Sequence, residues 1–289
     1  MTKRVRKAVL PVAGLGTRVL PAGKATPKNL LNVVDRPILS YVVEEARAAG
    51  IEHLIFIMGR GQGAIEDYFD HNPELETSLE SKGKTELLNE VRGELGRPGE
   101  MSFVRQMAPL GLGHAVWCAR DLIGDEPFAV MLPDMLMAAD TPALAQCVAA
   151  YGKVGGNIVA VESAPPGEAH KYGIVALDAA EGRLNRMTGM VEKPQPGTEP
   201  SNLFISGRYI LQPEIFELLG SQQKGAGGEI QLTDAMLRLL DRQSFHALEY
   251  EGTTYDCGDK LGLLRANVAF ALRRPGFADA ARAAIQALL

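Results

Sequence analysis

Apolar positions in the first half of the chain come in short continuous runs, separated by stretches where they recur at helical spacing. Lys7 to Val12 (KAVLPV) reads as a buried strand, and Leu54 to Met58 (LIFIM) as a second. Phe103 to Met107 and Phe128 to Leu132 predict two more. A helix opens at Pro37, with Ile38, Tyr41, Val42, Glu45 and Ala49 sorted by face and Gly50 as its stop. His114 to Leu122 predicts another helix. Runs without polar alternation belong to strands covered on both sides, so this half predicts an α/β fold with a mostly parallel central sheet between helices.

Residues 70–100 interrupt that rhythm. They are charged, with helical stretches at Glu74 to Ser81 and Thr85 to Glu94 and then a Gly-Arg-Pro-Gly turn, which predicts an insertion on the rim. Beyond residue 156 strands are expected at Ile158 to Val161, Gly173 to Leu177 and Phe204 to Leu211, with Gly/Pro-rich joints at 165–167 and 194–200. Helical patterns return at Pro213 to Leu219, Leu232 to Leu240 and Lys260 to Arg273. An Ala-rich last helix over 277–289 is expected to pack on the body or on a partner subunit. With no internal repeat and no low-complexity tract, residues 1–289 read as a single domain.

Composition changes this picture little. The 289 residues are 46% hydrophobic and 22% charged, which is globular. No apolar run approaches the roughly 20 residues that span a bilayer, and the basic start (MTKRVRK) passes directly into a strand without a signal-peptide core. Cys118, Cys147 and Cys257 are odd in number and widely spaced, against a disulfide framework or zinc site. A reduced, cytoplasmic protein is expected. Net charge is more informative. At −5 overall, the chain is no general nucleic-acid binder, yet Arg18, Lys24 and Lys28 concentrate positive charge in one loop. That distribution suits a small polyanion.

The loop is AGLGTRVLPAGKATPK, residues 13–28, directly after the first strand. Gly14 and Gly16 would let backbone N–H groups approach an anion closely. Arg18 offers a permanently charged planar fork for phosphate oxygens. Lys28 follows on a segment that Pro21 and Pro27 are expected to keep extended. A dinucleotide fingerprint would need a third glycine where Val19 stands, and a Walker loop is absent. An ordinary turn with solvated cations is the bland alternative. Asp134, just past the strand at 128–132, is placed for a metal at the carboxyl end of a sheet, or equally as a helix cap. Gln106 has a donor and an acceptor side by side for a pyrimidine edge. His114 opens a helix and is read as capping or packing.

The longer stretch PVAGLGTRVLPAGKATPKNLLNVVDRP resembles the signature of the sugar-1-phosphate nucleotidylyltransferases, G-x-G-T-R followed by P-K-x-x-L and D-[KR]-P. RQMAPLGLGHAV (105–116), LPDMLM (132–137), KYGIV (171–175), VEKP (191–194), SNLFISGRYIL (201–211), GEIQLTDA (228–235) and YDCGDKLG (255–262) follow in that family's order and spacing. Within it, the 70–100 insertion is similar to the bacterial branch acting on UTP and α-D-glucose 1-phosphate. The resemblance implies a Rossmann-like nucleotidyltransferase fold with a small sugar-side β subregion, UTP and glucose 1-phosphate as partners, Mg²⁺ as cofactor, and a homodimer or homotetramer.

It also implies roles for individual residues. Arg18 and Lys28 would act on the triphosphate, with Ala13, Gly14, Gly16 and Thr17 around the nucleotide. Gln106 and Gly111 would read the uracil, Asp134 and Asp256 would hold Mg²⁺, and Gly173, Glu192 and Lys193 would bind the sugar phosphate. Gly207-Arg208 matches a further lining strand, although Arg208 reads equally well as structural. Asn29 and Asn32 depart from the family's P-K-E-M-L-P by losing a negative charge and a rigid proline. Three rivals stand beside this reading: the same chemistry on dTTP, a nucleotide-sensing subunit without turnover, and a nicotinamide dehydrogenase. The sensor reading is disfavoured because Arg18, Lys28, Asp134, Lys193 and Asp256 are all present.

Overall fold

The computed structural model describes residues 2–165, 167–179, 181–222, 225 and 228–288. Pro166, in the expected joint at 165–167, and Leu289, at the end of the expected last helix, lie outside the described residues. The first half contains strands β1 (Lys7–Pro11), β2 (Asn32–Val33), β3 (Arg36–Pro37), β4 (His53–Met58), β5 (Met101–Arg105) and β6 (Phe128–Met131). Its helices are α1 (Ile38–Ala48), α2 (Ala64–Phe69), α3 (Pro73–Ser81), α4 (Thr85–Gly93), α5 (Leu112–Trp117) and α6 (Arg120–Ile123). The second half adds β7 (Met135–Ala138), α7 (Ala143–Val154), β8 (Asn157–Ser163), β9 (Gly173–Leu177), β10 (Leu184–Glu192) and β11 (Leu203–Leu211). It closes with α8 (Ile215–Gly220), α9 (Leu232–Leu240), β12 (Phe245–Glu249), β13 (Thr253–Asp256), α10 (Lys260–Ala271) and α11 (Ala278–Gln286).

Nine strands form one mixed sheet in the order β5-β4-β1-β6-β11-β8-β12-β10-β9. The expected parallel pairing holds for β5, β4, β1 and β6 and again for β8 with β12. Elsewhere the pairing is antiparallel: β11 inserts between β6 and β8 and runs against both, and β10 runs against β12 and β9. Adjacent residues of β1 and β4 feed two separate cores, as their period of two demands. Ala8, Leu10, Leu54 and Phe56 pack with α1 and α7 on one face. Val9, Ile55 and Ile57 pack with α5, α6, α8 and α9 on the other. A third, small cluster gathers Met135, Ala164, Ala169, Ile174 and Phe204 around β9 and β11.

Three expected boundaries move. The strand at 103–107 is displaced to Met101–Arg105, because its parallel pairing with β4 starts at Leu54 opposite Met101. The helix expected over 114–122 is two short helices, α5 and α6. The stretch from the glycine loop through Pro21 and Pro27 to Lys28 is not extended. It folds into successive 3₁₀ turns at Thr17–Val19, Ala22–Lys24 and Lys28–Leu30, with extended backbone only at the joints such as Leu20. The rim insertion carries the two helices expected of it, α3 and α4, and Arg47 of α1 anchors its end by pairing with Glu100 at 2.8 Å. Among the described residues, no helix is long and apolar enough to cross a membrane.

Candidate active site

The site lies where β1 and β6 end side by side. Past β1 the chain enters the glycine loop. Gly16 has φ +65°, and a Cβ there would stand 2.9 Å from Lys28 Cβ; one on Gly14 would stand 3.5 Å from Lys28 Nζ. Gly16 therefore lets the Lys28 side chain lie across the loop, whereas a side chain at Gly14 would meet Lys28 only at ordinary contact distance. Gln62 fastens the loop's base, donating to Val12 O at 2.9 Å while accepting from Gly59 N at 2.7 Å.

Asn29, fully buried, gives Val12 O a second donor at 3.3 Å, and its own Oδ1 has no partner. Where the family carries a glutamate, this chain thus ties the Lys28 turn to the end of β1 with a neutral side chain. Asn32, the other departure, opens a short hairpin. Asn32 pairs with Pro37 across β2 and β3, and its carbonyl accepts from Asn267 of α10 at 3.4 Å.

Asp134 sits in the turn between β6 and β7, and Asp256 is the last residue of β13. These two short strands pair antiparallel with Asp256 opposite Met135, and Cys257 N donates to Asp134 O at 2.8 Å. Pairing far along the sequence thereby brings the two carboxylates together. A Cβ on Gly258 would lie 2.8 Å from Asp256 Oδ1, 3.0 Å from Asp134 Oδ2, and against Arg18 Nη2. Gly258 leaves open a small space that both acids face. Two convergent carboxylates beside a glycine loop that carries two cations fit the hard-cation chemistry of Mg²⁺, which takes one or two carboxylates and completes its shell from substrate oxygens. Among the described residues no three His, Cys, Asp or Glu side chains gather into a self-sufficient metal site.

All four expected charges meet here. Lys28 Nζ pairs with Asp134 Oδ2 at 2.5 Å and Arg18 Nη1 with Asp256 Oδ2 at 3.1 Å, while Arg18 Nη2 lies 4.0 Å from Asp134. Burial by itself would raise the Asp134 pKa, but Lys28 and then Arg18 outweigh it and hold the carboxyl below its ordinary value. Arg18 keeps 59% of its side chain exposed, against 17% for Lys28. It is the more accessible of the two cations.

The loop, Lys28, Gln106, Gly111, Leu112, Asp134 and Glu229 line a cavity of about 450 Å³. Gln106 Nε2 donates to Gly111 O and to His114 Nδ1, each at 3.1 Å. Burial lowers the His114 pKa, consistent with a neutral ring that accepts at Nδ1. His114 therefore orients the amide, a job its position in the sequence did not announce. Both donors of Gln106 are spent, and its Oε1 accepts no bond among the described residues. Gly111 needs its glycine: φ is +110°, and a Cβ would stand 2.7 Å from Ile230 O. Segment 229–231, within a motif that sequence reading left without a role, buttresses this loop through Ile230 N to Leu110 O at 2.7 Å and Gly113 N to Ile230 O at 2.8 Å.

Gly173, Glu192 and Lys193 form a second group. Gly173 and Glu192 are opposite each other on β9 and β10, and the carboxylate covers Gly173, 3.1 Å from where its Cβ would be. Thr233 Oγ1 donates to Glu192 Oε2 at 3.0 Å. Lys193 adopts φ +48°, a strained conformation for a non-glycine residue, while its N–H donates to Tyr172 O at 3.0 Å. Its Nζ is exposed and 3.9 Å from Glu192 Oε1. None of these three residues lines the 450 Å³ cavity; their link to the acids is Tyr172, which shares a 500 Å³ cavity with Arg18 and Asp256. A further cavity of 640 Å³ lies elsewhere, under the rim insertion, and its Arg36 and Arg47 are already paired with Glu44, Glu94 and Glu100.

A strand-end glycine loop whose two cations face two convergent carboxylates is the geometry of a protein that handles a nucleoside polyphosphate with a metal. The chain belongs to the nucleotidyl transferase family, whose model matches residues 7–271. It is 51% identical to the UTP–glucose-1-phosphate uridylyltransferase of Bacillus subtilis over 94% of this chain and 92% of that one. It is 46% identical to the enzyme of the same name from Staphylococcus epidermidis over 99% of both. Among solved structures it resembles the UTP-bound UGPase from Acinetobacter baumannii, with a TM-score of 0.92 and 42% identity over 99% of this chain and all of that one.

Two outcomes follow from this geometry. Gly258→Ala places a methyl group between Arg18, Asp134 and Asp256, and should lower turnover roughly 10–100-fold, the scale of disturbing a metal's supporting shell. Thermal unfolding should move little; wild-type turnover from the folded variant would refute the arrangement. The depressed Asp134 pKa also fixes a sign. Its stabilisation is present above the ordinary carboxyl value of 3.8 and is lost as pH falls through the lower folded value. Urea unfolding should therefore favour wild type over Asp134→Asn by more at pH 6 than at pH 3, and the reverse order would contradict the pairing.

Proposed function

We propose that this nucleotidyltransferase transfers UMP from UTP to α-D-glucose 1-phosphate, releasing pyrophosphate, with no covalent enzyme intermediate. One observation carries the reading: Lys28 pairs with Asp134 in the lining of the cavity that Gln106 also lines, and Arg18, paired with Asp256 in the lining of a second cavity, lies 4.0 Å from the same Asp134. The backbone of Ala13, Gly14, Gly16 and Thr17 approaches the phosphates. Lys28 and Arg18 exchange carboxylate oxygens for phosphate oxygens, which leaves both acids free to hold Mg²⁺. When bound, the metal neutralises charge developing at the α-phosphate.

Gln106 Oε1 accepts the imino N3–H of uracil, beside the backbone of Gly111. Cytosine has no such hydrogen, whereas thymine does, so this contact excludes CTP more firmly than dTTP. On the sugar side, Glu192 accepts from a hexose hydroxyl over Gly173, and Lys193 binds the incoming phosphate.

An oxygen of the sugar phosphate attacks the α-phosphorus in line. The bond from the α-phosphorus to the bridging oxygen breaks, and pyrophosphate leaves with that oxygen. A sugar phosphate is ionised at neutral pH, so the reaction needs neither a protein nucleophile nor a general base. Positioning and charge neutralisation are what these residues supply. The 46–51% identity to relatives of that name supports the choice of substrates.

Pyrophosphate release with glucose 1-phosphate, Mg²⁺ and each of UTP, dTTP, CTP, ATP and GTP tests the reading. UTP should be fastest, and release should vanish with a chelator or without sugar phosphate. Preference for dTTP would move the substrate and keep the mechanism; silence from folded protein that binds UTP would favour a sensor. Lys28→Ala should cut kcat roughly 10²–10³-fold, the usual loss for one preorganised electrostatic contact.

A further inference from the structure

Arg208, on β11, is completely buried, and none of the steps above uses it. A charge at that depth needs a counter-charge and a partner for every N–H. Glu45 of α1 supplies the first, accepting from Nε at 3.1 Å and from Nη2 at 2.7 Å. Glu45 is itself held by Leu144 N, at the start of α7, at 2.9 Å. The remaining N–H groups go to backbone. Nη1 donates to Leu132 O at 2.9 Å and Gly207 O at 3.5 Å, and Nη2 donates to Met135 O at 3.0 Å.

Leu132 and Met135 are the two ends of the turn that carries Asp134. One guanidinium therefore grips that turn on both sides. Its neighbour on β11 adds to the hold, because Gly207 O accepts from Leu132 N at 2.9 Å. Gly207 has φ +91°, and a Cβ there would stand 3.0 Å from Leu132 Cβ and 3.1 Å from Met135 Cγ. On its far side, the turn gives Asp134 O to Cys257 N, next to Asp256. An ammonium on a lysine stem cannot reproduce this planar fork, which bonds a carboxylate and two carbonyls at once.

We propose that Arg208, charge-balanced by Glu45, is a positioning residue that fixes the 132–135 turn so that Asp134 meets Asp256 across the space left by Gly258. The proposal rests on the reading of Asp134 and Asp256 as the carboxylates that hold the metal. A buried ion pair with only a packing role would be replaceable by apolar residues of similar volume; a clamp on the turn would not.

The test uses the full chain in three forms: wild type, the double variant Arg208→Met/Glu45→Leu, and Arg208→Lys, which keeps the charge and loses the fork. Two readouts are independent of turnover: amide hydrogen exchange at Met135 and Cys257 without metal, and Mn²⁺ affinity with UTP present, followed by electron paramagnetic resonance. In the folded double variant both amides should exchange faster, and Mn²⁺ affinity should fall about 10–100-fold, the range for supporting groups around a metal. Arg208→Lys should fall between, and carries the same readouts if the double variant does not fold. Unchanged exchange, or faster exchange with unchanged Mn²⁺ affinity, would overturn the proposal. Wild-type protein that neither binds Mn²⁺ with UTP nor releases pyrophosphate would instead refute the functional reading, with exchange still deciding whether Arg208 holds the turn.

Discussion

Two cations and two carboxylates neutralise one another at the ends of β1 and β6, and the rest of the site is arranged around that balance. Lys28 on Asp134 and Arg18 on Asp256 are pairs that water screens incompletely, since both acids are largely enclosed. Removing Lys28 or Arg18 would take the nearer counter-charge from an acid that is largely enclosed. A triphosphate alone would draw the cations away and leave the carboxylates uncompensated. A metal alone would meet cations already on its ligands. On the proposed function, the arrangement would favour entry of the two together, each taking the half of the network that suits its sign.

Backbone, rather than long side chains, sets this balance in place. Asp134 is carried by a turn between two strands, and Asp256 is brought to it by β7 pairing with β13. Gly16 gives the Lys28 stem a path across the loop, while Gln62 and Asn29 hold the end of β1 beneath it. The same economy recurs around Gln106, where His114 and Gly111 O spend both amide donors and leave one acceptor. Preorganisation of this kind lets charge stabilisation proceed without rearranging the protein during the reaction.

The sequence pattern made the parallel half of the sheet legible because β1, β4 and β6 are buried on both faces and read as unbroken apolar runs. It did not reveal β10. Buried and exposed positions are mixed along that strand, and a register shift between Met187 and Gly189 spoils its alternation. β7 was hidden because only a three-residue turn separates it from β6. Helix α7 did carry a signal, with Leu144, Cys147 and Tyr151 on one face, but its alanine-rich composition left it unread. In the site, the glycines, cations and acids were visible as residue types at telling spacings. Their mutual pairing was not, because Lys28 and Asp134 lie 106 positions apart and Arg18 and Asp256 lie 238 apart. Gly258 and Arg208 were present in recognised motifs, yet only the fold shows that one leaves room between the acids and the other grips the turn beneath Asp134.

The coupling between metal and nucleotide tests this account most directly. Isothermal titration of Mn²⁺ into the protein should be repeated with and without a slowly hydrolysed UTP analogue, correcting for metal bound to free nucleotide. Mutual neutralisation predicts weak Mn²⁺ binding to the protein alone and at least tenfold tighter binding once the triphosphate has engaged Lys28 and Arg18, with an equal gain in nucleotide affinity when metal is added first, since coupling of this kind is reciprocal (about 1.4 kcal/mol for each factor of ten). Equal Mn²⁺ affinity in the two titrations would show that the carboxylates are free without substrate, and would contradict the account.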